Sequence, residues 1–307
     1  MILPRGVPPD LKIAVFTKNR TNPAYEAARL GADRVAQRLG AQTLHFVPEK
    51  GDDPDEQSAL VDRALAMGPD AFVFAPVHPT RVNAAIERIQ TAGIPLFGFV
   101  NPIPGGRCVS CVGADDGTLG GKIAEYLFAH LGGRGRLLLV SGPAESVTSI
   151  ARVRAFEDAA AKQPGIRVVG TCAGDYARDV ARDAVARWLA ANEGPDACLA
   201  ANDVMALGAL DALRAERRKA AVAGVNAIPD AIAAIKNGEM LATVDFNAMH
   251  MAALATECAV RHLRGKPVPK NIDLPAEIVD RRNCHLWDLP FEQRSIPTLE
   301  ETLRKPG

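Results

Sequence analysis

The stretch "LKIAVFTKNRTNPAYEAARLGADRV", residues 11–35, decides the fold class, because it predicts a strand, a turn and a helix in succession. Ile13–Phe16 form a short apolar run, and small or apolar residues recur at spacings of three and four after Pro23. The turn between them has neither the glycine-rich G-x-G-x-x-G fingerprint nor a Walker lysine. Because a phosphate would want glycines and open backbone at a helix N-terminus, this turn is expected to hold hydroxyl groups instead.

The same alternation continues along the chain and predicts an α/β protein with doubly wound parallel sheets. "AFVFAPV" (71–77) and "IPLFGFV" (94–100) are uniformly apolar, as is typical of parallel strands buried on both faces. "NPIPGGR" (101–107) interrupts the rhythm with proline and glycine, and the alternation restarts after it. We therefore expect two α/β lobes, followed by a surface tail from Cys284 to Gly307.

Length and charge bound the class of protein. The 307 residues suffice for two domains, each with its own core. The formal net charge of zero gives no basic field for nucleic acid or anionic membranes. No apolar run approaches the roughly 18 residues of a membrane span. The opening "MILPRGVPPD" has no apolar core or cleavage site of an intact signal peptide, so either a cytoplasmic protein or a chain whose signal was removed is expected.

No constellation in the sequence predicts catalysis, a cofactor or a metal site. The six histidines are scattered, and G-x-S-x-G and clustered acidic motifs are absent. Among six cysteines only Cys108 and Cys111, in "CVSCVG", are close together, and zinc would want a second pair or nearby histidines. A redox C-x-x-C normally opens a helix, whereas this one lies in an extended setting. We expect two buried, inert thiols, with a disulfide between them as the alternative.

Polar residues recur directly after the predicted strands, where open parallel sheets bind their ligands. Asparagine both donates and accepts hydrogen bonds, arginine offers a rigid fork of donors, and aromatic rings pack on the apolar faces of a sugar ring. This inventory predicts a small polyhydroxylated ligand. The candidate ligand-binding residues are Lys18, Asn22, Tyr25, Asn101, Arg152, Tyr176, Asn202, Asn226, Asp245, Phe246 and Asn247.

Each candidate also has an ordinary structural explanation. Asn202–Asp203 is typical of a helix N-cap pair, and Asn22–Pro23 is typical of a turn before a helix. Lys18 is more readily explained as a solvated loop residue, and the alternatives for Arg152 and Phe246 are a solvated helix residue and a core residue. The functional interpretation depends on the recurrence of such residues at equivalent strand ends.

Four segments in this order and spacing resemble the ribose-binding-protein-like family, the type I periplasmic substrate-binding proteins of sugar ABC transporters. They are "NPAYEAARLGAD", "DGTLGGKIAEYL", "ANDVMALGALDAL" and "LATVDFN", and the resemblance runs from about Leu11 to Asp280. It implies two Rossmann-like lobes joined by a three-segment hinge, with the ligand in the cleft between them. The expected boundaries are 1–114 plus 247–275 for the N-terminal lobe, 115–246 plus 276–283 for the C-terminal lobe, and 284–307 for the tail.

The resemblance also implies roles for individual residues. Asn22 and Tyr25 match an amide and an aromatic that contact sugar in the first lobe. Arg152 matches an arginine that bonds sugar hydroxyls, and Tyr176 matches a stacking aromatic. Asn202 matches the amide of the N-D-x-x-A-x-G motif.

The chain departs from the family pattern where acids that bond sugar hydroxyls usually stand. Because Lys18 and Arg152 are retained while acids are lost, a sugar acid, a small polyol and a deoxy sugar all stay open as ligands. The departures are Ala24 for an aromatic, Val100 and Asn101 for an acid and an arginine, Asn226 for an acid, and Phe246, flanked by Asp245 and Asn247, for an amide.

The function implied by the resemblance is that of a periplasmic binding protein. Such a protein closes on a sugar-like solute and delivers it to the membrane permease subunits of an ABC transporter. It is expected to be a monomer, without enzymatic activity, cofactor or nucleic-acid partner. The alternative is the ligand-binding effector domain of a lactose-repressor-family regulator, which shares the fold and would normally be dimeric and cytoplasmic.

Overall fold

A computed structural model of the chain describes residues 11–103, 105 and 107–304. They form two compact units. The first comprises the chain up to Gly113, Asn247–Leu274 and the segment from Phe291, and the second comprises Ala114–Phe246 and Pro275–Pro290. The chain therefore passes from one unit to the other after residues 113, 246, 274 and 290.

Strands and helices alternate through most of both units, as the apolar pattern predicts. In chain order the strands are β1 Leu11–Phe16, β2 Ala41–Phe46, β3 Ala71–Phe74, β4 Leu96–Val100, β5 Ser110–Gly113, β6 Arg134–Ser141, β7 Gly165–Ala173, β8 Ala197–Ala200, β9 Ala221–Val225, β10 Ala242–Asp245, β11 Asn271–Asp273 and β12 Glu277–Asp280. The helices are α1 Pro23–Arg38, α2 Pro54–Ala66, α3 Asn83–Thr91, α4 Asp116–His130, α5 Val147–Ala161, α6 Arg178–Ala191, α7 Asp203–Ala215, α8 Pro229–Lys236, α9 Ala248–Leu263 and α10 Leu299–Arg304.

The first unit is built on a six-stranded parallel sheet in the order β11-β5-β4-β3-β1-β2. Its core is aromatic: the Phe16 ring lies 4.8 Å from that of Phe46 and 5.6 Å from that of Phe72, measured between centroids. The order reverses at β1, and the carboxyl ends of β1 and β3 are the place where such sheets bind ligands. The turn after β1 lies at this position.

The second unit repeats the arrangement in the order β12-β10-β9-β8-β6-β7. Strands β7, β6, β8, β9 and β10 are parallel, whereas β12 pairs antiparallel with β10. An antiparallel edge strand on an otherwise parallel sheet is common in doubly wound folds. Here β12 follows a segment that has just returned from the first unit. The two α/β lobes with parallel-sheet cores predicted from the sequence are confirmed.

Helix α3 begins later than its sequence pattern suggests. The apolar spacing extends back to Pro79, yet the helix starts at Asn83. The Nδ1 atom of His78 accepts hydrogen bonds from the backbone N–H groups of Thr80 and Arg81, each at 3.1 Å. These bonds stabilise a separate turn that precedes the helix.

The segment 284–307 was expected to be a surface tail; most of its described residues are exposed or half-buried, and the segment is nevertheless part of the folded units. Its first part belongs to the second unit, and the part from Phe291 belongs to the first. Arg34 of α1 donates hydrogen bonds to the carbonyl oxygens of Phe291 and Arg294, at 3.2 and 2.7 Å. Leu299 is buried, and its N–H donates to Glu257 of α9 at 3.1 Å. These partners are distant in sequence, so no local pattern could reveal them.

Among the described residues, no helix combines the length and the apolar character needed to cross a membrane.

The contact between α1 and α9 gives a test of the packing in the first unit. A Cβ atom at Gly31 of α1 would overlap the backbone carbonyl of Met249 in α9, so Gly31→Ala must push two helices apart. We expect a loss of about 1–3 kcal/mol in the free energy of unfolding. Urea denaturation followed by far-ultraviolet circular dichroism measures it.

Gly121→Ala is the matched control. Gly121 lies in α4, and a Cβ atom there meets nothing within 4 Å. Its replacement should leave stability unchanged or raise it by about 0.5–1 kcal/mol, because alanine is the better helix former. Equal denaturation midpoints for the two variants would contradict the tight α1–α9 contact.

Candidate functional site

The turn after β1 is held by its own amide side chains. Asn19 donates from Nδ2 to Asp52 Oδ2 at 2.8 Å, and its Oδ1 accepts the backbone N–H of Asn22 at 3.0 Å. The Oδ1 of Asn22 in turn accepts the backbone N–H of Ala24 at 3.0 Å and caps α1. Asn22 therefore lies in a turn before a helix, as predicted, and also caps that helix; side chains replace the glycines that shape a phosphate-binding turn.

Lys18 is buried in this turn, with 5% of its surface exposed, so the expectation of a solvated loop residue is wrong. Its carbonyl oxygen accepts the N–H of Asp52 at 2.9 Å. Burial raises the pKa of Asp52, while the positive charge of Lys18 and the hydrogen bond from Asn19 act in the opposite direction. The lysine charge is thus opposed by an acid of the same unit. Tyr25 is buried beside the turn, in the first turns of α1.

Asn101 and Asn247 both stand where the backbone is unusual. Val100, the last residue of β4, has φ of 66°, although a β-branched side chain disfavours the left-handed region. Asn101 follows it and is buried. Asn247 follows β10 with φ of 54°, and its side chain accepts the N–H of His250 at 3.2 Å to cap α9. These backbone conformations place the amide of Asn101 directly after β4 and that of Asn247 directly after β10.

Arg152 of α5 is the centre of the candidate site in the second unit, with 2% of its surface exposed. Its Nη1 donates to the carbonyl oxygen of Ala201, after β8, at 2.8 Å and to Oδ1 of Asn226, after β9, at 3.4 Å. Its Nε donates to Oδ1 of Asp116 in α4 at 2.8 Å. The solvated-helix explanation of Arg152 is therefore wrong, because its guanidinium joins the ends of two strands to two helices.

Phe246 and Asp116 complete the surroundings of this cation. The guanidinium carbon of Arg152 lies 5.5 Å from the centroid of the buried Phe246 ring, which is within cation–π range. Asp116 is within 2.8 Å of two guanidinium nitrogens, Nε and Nη2. The ion pair compensates the charge of Arg152 inside the protein. Asp116 was not among the predicted residues, although "DDGTLGG" shows two acids at the start of a helix.

Tyr176 lies over the loop that follows β6. Its hydroxyl is 2.8 Å from Oγ of Ser146, which caps α5, and a Cβ atom at Gly142 would overlap its ring. The φ of Tyr176 is 59°, in the left-handed region. Glycine at position 142 thus lets the aromatic ring approach the backbone directly after β6.

Asn202 and Asp203 divide two structural tasks. Asn202 caps α7, its Oδ1 accepting the N–H of Met205 at 2.9 Å, as the capping explanation predicts. Asp203 is fully buried and accepts hydrogen bonds from Oγ1 of Thr243 at 2.7 Å and from the N–H of Ile228 at 3.1 Å. Burial raises the pKa of Asp203 to about 7, against the opposing effect of these bonds.

Asp245, at the end of β10, has a partner that the sequence did not suggest. The indole Nε1 of Trp287 donates to Oδ2 of Asp245 at 2.9 Å. Trp287 follows a short 3₁₀ helix, Cys284–Leu286, in the segment that was expected to be a surface tail. A carboxylate at a strand end is thereby oriented by a residue 42 positions later in the chain.

Positive φ values give an independent signal for the site. Among the described residues eight non-glycine residues have positive φ, and six of them lie at or directly after strand ends that carry candidates. Strained backbone tends to cluster at ligand-binding sites, where the surrounding structure maintains it. The six are Val100, Asp175, Tyr176, Asn226, Ala227 and Asn247.

The structure brings some candidates together and leaves others in separate parts of their units. Arg152, Asn226 and Phe246 form one contacting group in the second unit. Lys18 and Asn22 share the turn after β1 in the first. Within the described part of the chain, no group of three or more His, Cys, Asp or Glu side chains could hold a metal ion. The candidates can form hydrogen bonds through their amides and Arg152, and their aromatic rings can pack on apolar surfaces of a ligand.

Comparison with known proteins gives a consistent result. The family model described as "Periplasmic binding protein domain" matches residues 13–267. The ribose import binding protein RbsB of Bacillus subtilis (strain 168) is 27% identical over 271 residues, covering 88% of this chain and 87% of that protein. The D-apiose import binding protein of Paraburkholderia graminis is 28% identical over 284 residues, covering 90% and 89%.

A similar crystal structure comes from Actinobacillus succinogenes 130z. It is an ABC transporter periplasmic solute-binding protein with bound D-allose, and it superimposes with a TM-score of 0.84. The sequences are 25% identical, and the match covers 90% of this chain and 99% of the other.

The role of Arg152 gives the first prediction for this site. Arg152→Ala leaves Asp116 and the Ala201 carbonyl without their partner, so we expect the second unit to lose about 3 kcal/mol of stability. Urea denaturation followed by tryptophan fluorescence measures this, because Trp188 and Trp287 both lie in the second unit.

The matched control for that loss is Arg154→Ala, on the same helix. The side chain of Arg154 is 81% exposed, and its ion pair with Asp158 spans 3.9 Å. An exposed pair of this kind contributes at most about 0.5 kcal/mol. Similar losses in both variants would show that the Arg152 network does not stabilise the unit.

Asp203 gives a prediction about pH. Its folded-state pKa of about 7 lies above the value of about 3.9 expected when unfolded. Between these two pH values the folded protein keeps a proton that the unfolded chain releases, so rising pH favours unfolding. Asp203→Asn removes this titration. The free energy of unfolding of the parent protein should therefore fall relative to that of the variant between about pH 4 and pH 7. Parallel pH curves in tryptophan-monitored denaturation would show that Asp203 is ionised throughout.

Proposed function

Because the chain belongs to the periplasmic binding protein domain family, we propose that it is the solute-binding component of an ABC importer for a neutral, sugar-like polyhydroxylated solute. Its relatives include import binding proteins for ribose and D-apiose. They are binding proteins rather than enzymes, and they do not favour the alternative of a repressor effector domain.

The ion pair between Arg152 and Asp116 is the observation that supports a neutral solute. The carboxylate of a sugar acid binds best to a cation that is not already paired with another carboxylate. The guanidinium of Arg152 is already paired with Asp116 at 2.8 Å. Lys18 is similarly opposed by Asp52. Hydroxyl groups need donors and acceptors rather than net charge, and an asparagine amide has two N–H donors and an oxygen with two lone pairs. At Asn22, Asn202, Asn226 and Asn247 one bond within the protein already uses that oxygen, and Asn101 is the fifth candidate amide.

We infer further that the solute contacts the candidate residues of both units, with Tyr25, Tyr176 and Phe246 available for the apolar faces of a ring. Closure of the units on the solute, delivery to permease subunits, a monomeric state and a periplasmic location stay predictions that follow from the family. The remaining candidates are Lys18, Arg152 and Asp245. Each would either hold neighbouring side chains in place or form hydrogen bonds with hydroxyl groups of the solute.

A thermal-shift screen tests the neutral solute. Ribose, apiose, allose, xylitol and myo-inositol are compared with the matched acids ribonate and allonate. A solute at about 1,000 times its Kd should add about 4 kcal/mol of stability and raise the melting temperature by several degrees. We expect at least one neutral compound to stabilise the protein and the acids to have no effect. Small-angle X-ray scattering with the stabilising compound tests closure through a decrease in the radius of gyration.

Asp116→Asn sharpens the test, because it removes the compensating charge and keeps Arg152. This variant should begin to bind a sugar acid and lose affinity for the neutral solute. Asp158→Asn, at an exposed pair on α5, should behave as the parent protein. Stabilisation of the parent by acids alone would overturn the neutral class and keep the binding function. No response to any compound would overturn the sugar-like class as a whole.

A further inference from the structure

Cys108 and Cys111 lie in the first unit with their sulfur atoms 2.9 Å apart. Cys111 is in β5 and pairs with Gly98 of β4. A Cβ atom at Gly98 would stand 2.5 Å from Sγ of Cys111, so the missing side chain of the glycine makes room for the sulfur. The sulfur–sulfur approach therefore depends on the sheet, and C-x-x-C spacing alone could not predict it.

The surroundings of Cys111 favour its thiolate. The hydrogen bond with Cys108 lowers the pKa of Cys111, and burial opposes that effect. The backbone N–H groups of Ile103 and Gly98 and the charge of Lys270 lower it further. The amino group of Lys270 also donates to the carbonyl oxygen of Cys108. The same pairing and burial raise the pKa of Cys108, so the two thiols titrate as one coupled pair in which a charge on Cys111 is the better stabilised.

Cys111 is the more exposed of the two thiols. Cys111 is half-buried, whereas Cys108 is buried, with 8% of its surface exposed, at the wall of an open groove of about 630 Å³ in the first unit, together with Gln90, Arg107 and His262. Other cysteines differ: Cys198 and Cys258 are fully buried, and burial raises their pKa values to about 12 and about 11. A reactive thiol needs both thiolate character and access to solvent. Cys198 and Cys258 have neither, so reactivity is expected at Cys108 and Cys111 instead.

We propose that Cys108 and Cys111 form a reversible dithiol–disulfide site that exchanges with small-molecule disulfides of the glutathione type. The Cys111 thiolate attacks one sulfur of the small disulfide, forming a mixed disulfide and releasing one thiolate. Cys108 then gives up its proton and attacks Sγ of Cys111, which breaks the mixed bond and releases the second thiolate. The protein is oxidised by two electrons, and one small disulfide is reduced to two thiols.

The site is distinct from the candidate solute-binding residues, but it is connected to them by the chain. The segment between β4 and β5 begins at Asn101 and ends at Val109, within the Cys108–Cys111 spacing. Oxidation would join the end of this segment to β5 covalently. The thiol pair is independent of the solute class and of the transport function.

Equilibration of the full chain in glutathione buffers tests the proposal. Samples at graded ratios of reduced to oxidised glutathione are quenched with acid, alkylated after denaturation and analysed by intact mass and peptide mapping. We expect Cys108 and Cys111 to become resistant to alkylation together, with loss of two hydrogens, and reduction to reverse the change. Cys172, Cys198, Cys258 and Cys284 should stay alkylatable at all ratios. Alkylation of all six cysteines across the series would overturn the proposal.

Single variants separate the two roles. Cys108→Ser should accumulate a stable mixed disulfide on Cys111, because no second thiol resolves it. Cys111→Ser should react with glutathione disulfide about tenfold more slowly or worse at Cys108, because that thiol is buried and burial raises its pKa even without Cys111. Cys284→Ser serves as the control, with an unchanged thiol pair, and circular dichroism verifies the fold of each variant. Equal rates for the two single variants would contradict the assigned order of attack.

Discussion

The second unit depends on the satisfaction of one buried cation. Burying a guanidinium away from water is energetically costly unless its N–H groups are hydrogen-bonded and its charge is paired. The guanidinium of Arg152 donates hydrogen bonds to Asp116, to the Ala201 carbonyl and to Asn226, and the Phe246 ring lies against its face. The network fixes the ends of β8 and β9 relative to α4 and α5. A binding surface made of strand ends needs this rigidity, because hydrogen bonds to a solute require fixed donor and acceptor positions.

The first unit meets the same requirement without a buried arginine at its centre. Its turn after β1 is fixed by hydrogen bonds among Asn19, Asn22 and Asp52. Val100, the last residue of the interior strand β4, adopts the left-handed region, and Asn101 follows it at the carboxyl end of that strand. Both units therefore maintain unusual local geometry at strand ends with the stability of the sheets behind them.

Charge compensation links the site to the choice of solute and separates it from the thiol pair. In the candidate site each cation is opposed by a carboxylate of its own unit, which favours hydroxyl recognition over recognition of an anion. Near Cys111 the arrangement is the reverse: Lys270 and backbone N–H groups favour a negative charge on sulfur. One unit thus holds a turn suited to hydroxyl groups and, on the β4–β5 side of its sheet, a site suited to thiol chemistry.

Sequence alone was enough to predict the α/β class, most strands and helices, and the positions after the strands where the candidates stand, because apolar periodicity and turn residues are local signals. It also predicted the cap formed by Asn202 and the turn at Asn22. Tertiary structure decided the partners: Asp116 for Arg152, Trp287 for Asp245, Asp52 for Lys18, the docking of the segment after Cys284, and the approach of Cys108 to Cys111 beside Gly98. Sheet order and helix packing bring these residues together. The apolar periodicity of the sequence predicts local elements and does not predict which distant side chains will be in contact.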